Sequence, residues 1–364
     1  MAATDLIVEK QNITNVQLVE SALVSSEPGV GQIKLAIDRF GITSNNLSYA
    51  AAGDVLGYWS FFPTADPEWG VVPAWGFATV IDSKHPELET GEEIFGFLPM
   101  ARHVILEPHD VSAASFSDQF EHRTGLHPWY NRYYRTRDDP ASAPEFRHLQ
   151  PVLWALFMTG WMLAQEFEAN ADFGADHILV ASASSKTAYS FAASMKATIE
   201  GRSTELVGLT STVNAAFVES LGCYDRVQTY DDLDLDELAG TAALVDMSGN
   251  ATVVGAVHNA FTDRLVQSIR VGSTHLGARG DTTELPGPER RFFFIPDVAE
   301  TRSAAMGQTE YHTAFAEAWA TFAAWADRVT TITEATGPEA IQATYLSAVS
   351  GSHDPSSGKI LRYP

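Results

Sequence analysis

The chain has 364 residues, 45% of them hydrophobic and 19% charged, enough for a full core and about two domains. Its formal net charge of −23 argues against nucleic acid and anionic membranes as partners, because both need clustered Lys and Arg. A single cysteine, Cys223, excludes an internal disulfide and a Cys-rich zinc site.

Residues 1–30 lack a basic start followed by an apolar run, so no signal peptide is expected. The longest apolar run, 152–164, is shorter than the roughly 20 residues that span a bilayer. A soluble cytoplasmic protein is expected. The front of the chain reads as strands. Residues 32–38 alternate as a half-buried strand does, and 77–82 and 93–97 follow, separated by Gly and Pro. A polar, aromatic stretch, 119–148, reads as a lid or a dimer contact. A buried helix begins near Pro151, since proline suits a first helical turn. From residue 176 strands alternate with helices: strands at 177–181, 205–210, 226–230, 242–246 and 268–272, with helices at 186–195 and 213–221. That alternation predicts right-handed crossovers and a mostly parallel sheet. A later helix carries Phe315, Trp319, Phe322 and Trp325 on one face, followed by a helix at 338–349 and a strand at 359–361.

The most informative segment is Ile178-Leu179-Val180-Ala181-Ser182-Ala183-Ser184-Ser185-Lys186-Thr187-Ala188-Tyr189. It predicts a buried strand, a turn of small residues and a helix, the arrangement that sets a helix amino terminus against a pyrophosphate. The glycines of G-x-G-x-x-G are absent; Ser182, Ser184 and Thr187 stand in their places.

Other segments resemble, in order, the medium-chain dehydrogenase/reductase superfamily. Gly41-Ile42-Thr43-Ser44-Asn45-Asn46 resembles its glycine-led turn. Pro73-Ala74-Trp75-Gly76-Phe77-Ala78-Thr79-Val80 is similar to its G-x-E-x-x-G-x-V strand, and Gly91-Glu92-Glu93-Ile94-Phe95-Gly96 to its G-D-x-V-x-G. Residues 206–230, with Gly222, and Gly358-Lys359-Ile360-Leu361 resemble the quinone-oxidoreductase branch. The nearest group is a bacterial set of quinone-oxidoreductase-like proteins known as a domain of unknown function, sharing Asn45-Asn46, Trp75-Gly76-Phe77 and the Ser-Lys-Thr turn. The resemblance covers nearly the whole chain, though each motif alone is common. It implies an α/β fold: a GroES-like β-rich domain at 1–148, a Rossmann-type doubly wound domain at 149–297 and a return to the first domain at 298–364. It also implies a homodimer and a small-molecule substrate in the cleft between domains. Zinc-dependent members need cysteines this chain lacks, so the zinc-independent branch is expected.

Candidate residues follow from this frame. Ser182, Ser184, Ser185, Lys186 and Thr187 are expected at the pyrophosphate. Thr210 and Ser211 end the second strand, where NAD enzymes carry an acid for the ribose; its lack leans towards NADPH. Ser248 and Asn250 follow the fourth strand, and Thr274 the fifth, at cofactor-contacting strand ends. His275 is the candidate proton donor, because imidazole titrates near neutrality; Tyr49 and Tyr58 are alternatives. Asn46, Trp59 and Trp75 are candidates for an apolar or planar substrate. No H-E-x-x-H or G-x-S-x-G occurs, and Ala183 breaks an S-x-x-K spacing before Lys186. The leading expectation is an NADPH-dependent reductase of an activated alkene, quinone or carbonyl. A non-redox lyase or carbon–carbon bond hydrolase, and a ligand-sensing binding protein, stay open.

Overall fold

Six strands of the second half line up side by side and all run the same way. They are β1 (His177–Ala181), β2 (Glu205–Thr210), β3 (Arg226–Thr229), β4 (Ala242–Asp246), β5 (Leu265–Arg270) and β6 (Arg291–Phe292). Their order is β3-β2-β1-β4-β5-β6, every pair parallel. This is the doubly wound order in which a crevice opens where the strand order reverses, outside the carboxyl ends of the strands. Ala181 pairs with Leu209 on one side and Asp246 on the other, so three strand ends lie level there. The structure, a computed structural model, describes residues 4–21, 23–197, 203–247, 249–271, 284–351 and 354–363.

The chain divides into two units, one of Met1–Trp154 with Ala326–Pro364 and one of Ala155–Trp325. In the second, Ile178, Leu179 and Val180 are wholly buried, as a parallel strand covered on both faces requires. Leu179, Val207, Leu244, Val254 and Phe261 form one side of its core. Strand β5 starts three residues before the expected 268, directly after the turn Thr262–Arg264. The helix Lys186–Ala197 follows β1, and a Cβ on Gly160 would collide with its main chain at Ser190 and Phe191. Residues 298–325, expected in the return to the first domain, cluster instead with the second unit. The reason is aromatic packing: Phe315, Trp319 and Phe322 of helix Gln308–Val329 meet Phe157 at ring separations of 5.7, 5.6 and 4.5 Å.

In the first unit, strands Ile33–Ile42, Pro73–Ser83 and Glu93–Pro99 form the antiparallel centre of a nine-stranded sheet. The carboxyl-terminal strand Ser357–Arg362 joins it beside Ile33–Ile42, and Thr331–Thr336 lies outside that. The expected turn at 41–46 is a strand end and a helix. Gly41 belongs to the strand, where a Cβ would strike the Pro151 carbonyl, and Ser44–Ala51 is helical. A hairpin, Thr4–Glu9 and Asn12–Glu20, forms a separate three-stranded sheet with Trp69–Gly70. The stretch read as a lid or dimer contact supplies strand Arg132–Arg135 of the large sheet, between Glu93–Pro99 and Ser115–Asp118. Among the described residues no helix is long and apolar enough to cross a membrane.

Candidate functional site

At the end of β1 the chain turns sharply because Ser182 adopts the left-handed region, φ 61°, which glycine usually fills. Its N–H donates to the Tyr230 hydroxyl (2.8 Å), and its carbonyl accepts from the Ser185 N–H (2.8 Å). Ala183 is fully buried, held by its N–H to the Leu209 carbonyl (3.0 Å) and by Tyr224 Oη donating to its carbonyl (3.0 Å). Ser184, also buried, accepts from Asn214 Nδ2 at 3.1 Å. Ser185 accepts from the Ala188 N–H (3.3 Å) and so caps the helix. Lys186 and Thr187, both half-buried, open that helix, whose first turn holds no acid. The first N–H groups of a helix have no intrahelical acceptor and carry its positive dipole end. A cation there works against the dipole by about 0.3–1 kcal/mol, unless an anion shares the site.

Beside this turn, Thr210 ends β2, buried, its Oγ1 without a hydrogen-bond partner and its carbonyl accepting from the Tyr230 N–H (2.8 Å). Ser211 leads into the short helix Thr212–Asn214, where Thr212 Oγ1 donates to Asp231 Oδ2 at 2.7 Å. The NADPH expectation rested on the lack of an acid after β2. The folded chain brings one there from the end of β3. Burial pushes the Tyr230 phenol up to about 12, so it is a neutral hydrogen-bond partner at pH 7. On the other side Asp246 ends β4, fully buried. It accepts from the Gly249 N–H (2.9 Å) and pairs with Arg290 (2.5 Å). Asn250 caps the helix Ala251–Phe261 by accepting from the N–H groups of Thr252 and Val253. Ser248, Thr274 and His275 lie outside the described residues.

In the first unit, Tyr49, Tyr58 and Trp75 come together in a buried aromatic cluster. Tyr49 Oη accepts from Asn45 Nδ2 (2.7 Å) and Trp75 Nε1 (3.2 Å), and the hydroxyls of Tyr58 and Tyr130 lie 2.9 Å apart. The rings of Tyr49 and Tyr58 lie 4.7 Å apart and tilted, as do those of Phe97 and Tyr130. Burial raises the Tyr49 and Tyr130 phenols and pushes Tyr58 up to about 12. These hydroxyls hold protons at neutral pH. Asn46 does a different job: its Oδ1 accepts from the Thr43 N–H (2.7 Å) and its Nδ2 donates to the Pro73 carbonyl (2.8 Å), completing the cap of helix Ser44–Ala51. Trp59 is buried against Gly53 and Gly70, where any Cβ would collide with the indole. Tyr130 was not expected here; its Trp-Tyr-Asn-Arg-Tyr-Tyr context suggested a lid or a dimer contact. Arg123 anchors that stretch through a fully buried pair with Asp118 (2.8 Å), against Phe62 and Tyr133.

Residues 40–354 match the family described as "Protein of unknown function (DUF2855)". The chain belongs to that family. Comparison with curated proteins gives no match. Among solved structures, CurA from Vibrio vulnificus in complex with NADPH has a TM-score of 0.60 at 15% identity, covering 100% of this chain and 99% of that one. A putative NADPH:quinone reductase from Bacillus thuringiensis gives 0.61 at 11%, covering 100% and 99%. A mutant enoyl thioester reductase from Candida tropicalis gives 0.59 at 11%, covering all of both chains. The DUF2855 chain therefore has the fold of the medium-chain dehydrogenase/reductase superfamily, as its motifs implied: a mixed α/β chain with a GroES-like part and a Rossmann-type part. Its β1 turn suits a dinucleotide in strand order, left-handed Ser182 and helix amino terminus. It departs at Ser184, whose side chain Asn214 holds where a glycine would leave room.

Proposed function

We propose that this chain is a zinc-independent reductase that uses a reduced nicotinamide dinucleotide. Its substrate is an activated alkene, quinone or carbonyl of an apolar or planar small molecule. The observation that carries the reading is the β1 turn, where a left-handed Ser182 and a basic helix amino terminus stand at the crevice of a β3-β2-β1-β4-β5-β6 sheet. The NADPH in the CurA structure, and the reductase names of the other similar structures, support it. When bound, the dinucleotide supplies the hydride. Lys186 and the Thr187 N–H hold the pyrophosphate, with the Ser182, Ser184 and Ser185 hydroxyls around it. Thr210 and Ser211 flank the adenosine ribose, and Ser248, Asn250 and Thr274 the nicotinamide half. His275 donates the proton. Tyr49 and Tyr58 are the other hydroxyl donors, with Asn46, Trp59 and Trp75 fixing their surroundings. The same reading makes the protein a cytoplasmic homodimer.

A specific observation favours a second reading. The Ser182 N–H and the Ser184 hydroxyl are already engaged by Tyr230 and Asn214. A turn satisfied from within suits a non-redox enzyme, a lyase or carbon–carbon bond hydrolase, or a ligand-sensing protein on the same scaffold. Loss of nicotinamide absorbance, followed with an enone, a quinone and an aldehyde, separates the readings. The reductase reading expects turnover on at least one class and a fall of about 100-fold in His275→Gln. Dinucleotide binding without turnover on any class would favour the sensor.

A further inference from the structure

In this sheet order the ribose of the adenosine lies beyond the carboxyl end of β2, one strand from the pyrophosphate turn. Tyr230 crosses that place: its N–H is on the Thr210 carbonyl at the end of β2, and its hydroxyl is on the Ser182 N–H at the end of β1. The next residue, Asp231, is exposed, and its carboxylate is held at the β2 end by Thr212 Oγ1 (2.7 Å). Asp232 and Asp234 follow in the same loop. Between residues 203 and 238 the sequence has one Lys or Arg, Arg226. It sits at the opposite, amino end of β3, paired with Glu205 (3.0 Å) and Glu237 (3.6 Å).

We propose that Asp231 sets the dinucleotide preference of this chain, selecting the form with a free ribose 2′-hydroxyl, NADH, over the 2′-phosphorylated form. This rests on the dinucleotide reading above. A carboxylate accepts hydrogen bonds from a diol, whereas a 2′-phosphate would bring nearly two further negative charges beside it, and the one Arg of residues 203–238 is paired at the far end of β3. Lys186, the cation at the neighbouring turn, opens the helix that follows β1.

Calorimetric titration of the full chain with NADH and with NADPH, in wild type, Asp231→Ala and Asp231→Arg, tests this. Asp231 is exposed, so both variants are expected to fold, which unchanged melting temperatures check. Wild type should bind NADH at least about tenfold more tightly than NADPH. Asp231→Ala should narrow the gap, and Asp231→Arg should reverse it. Wild type binding NADPH as well as NADH, or a gap untouched by Asp231→Ala, would overturn the proposal and leave the dinucleotide reading standing. Binding of neither nucleotide would overturn both.

Discussion

His258 is wholly buried, with Nδ1 2.7 Å from the Pro286 carbonyl and Nε2 2.9 Å from the Ser268 hydroxyl. A carbonyl can only accept, so Nδ1 carries the proton and Nε2 accepts from Ser268. This neutral tautomer joins helix Ala251–Phe261, strand β5 and the segment before β6. Burial holds the imidazole below its ordinary 6.5. The unfolded chain takes up a proton near 6.5 and the folded chain does not, so stability falls as pH drops through 6.5, until the folded value is reached. Wild type should lose up to about 1.4 kcal/mol per pH unit in that window relative to His258→Gln, read from urea midpoints at about pH 7.5 and about pH 5.5. Equal losses in both proteins would contradict the neutral assignment. At this scale the sequence was informative about position and poor about side-chain reach. The β1 turn could be read because its residues are consecutive. Tyr230 and Asp231 could not be placed, since they come from the end of a different strand, β3. The Tyr-Asp-Asp after the third strand was the available signal.

Elements were legible where one periodicity dominated. The strands at 177–181, 205–210 and 242–246 and the helix at 338–349 lie where apolar runs and proline put them. In the stretch 119–148 aromatic residues mixed with Arg hid the strand Arg132–Arg135. Burial of Arg123 is possible because its charge is met: it pairs with Asp118 and also donates to Asn131 Oδ1 (3.2 Å). Removing one partner of a buried pair leaves the other charge uncompensated. Arg123→Ala should therefore cost about 3–5 kcal/mol in chemical denaturation, while Arg137→Ala, whose pair with Asp138 is exposed, should change stability by less than about 0.5 kcal/mol. Similar small effects for both would mean that strand Arg132–Arg135 does not depend on the pair.

At the scale of the molecule, alternating strands and helices implied a parallel sheet, and the family motifs implied the rest of the fold. The amino-terminal hairpin was not legible. Its second strand, Asn12–Glu20, is largely exposed and lacks the half-buried alternation that marks a strand. The boundary near 325 was also missed, because a helix with one aromatic face does not state which core it serves. Among the described residues no group of three or more His, Cys, Asp or Glu could hold a metal ion. Dialysis against a chelator should leave the melting temperature and any reductase activity unchanged; loss of either, restored by zinc, would remove the zinc-independent assignment. On the proposed reading the β1 turn binds a dinucleotide at the amino terminus of the helix that Lys186 opens. The most direct test is titration of NADH and NADPH into wild type and Lys186→Ala by calorimetry. Micromolar binding of at least one nucleotide is expected, weakened about tenfold or more in Lys186→Ala with no loss of thermal stability. Binding of neither nucleotide to the wild type, or equal affinity in the variant, would contradict it.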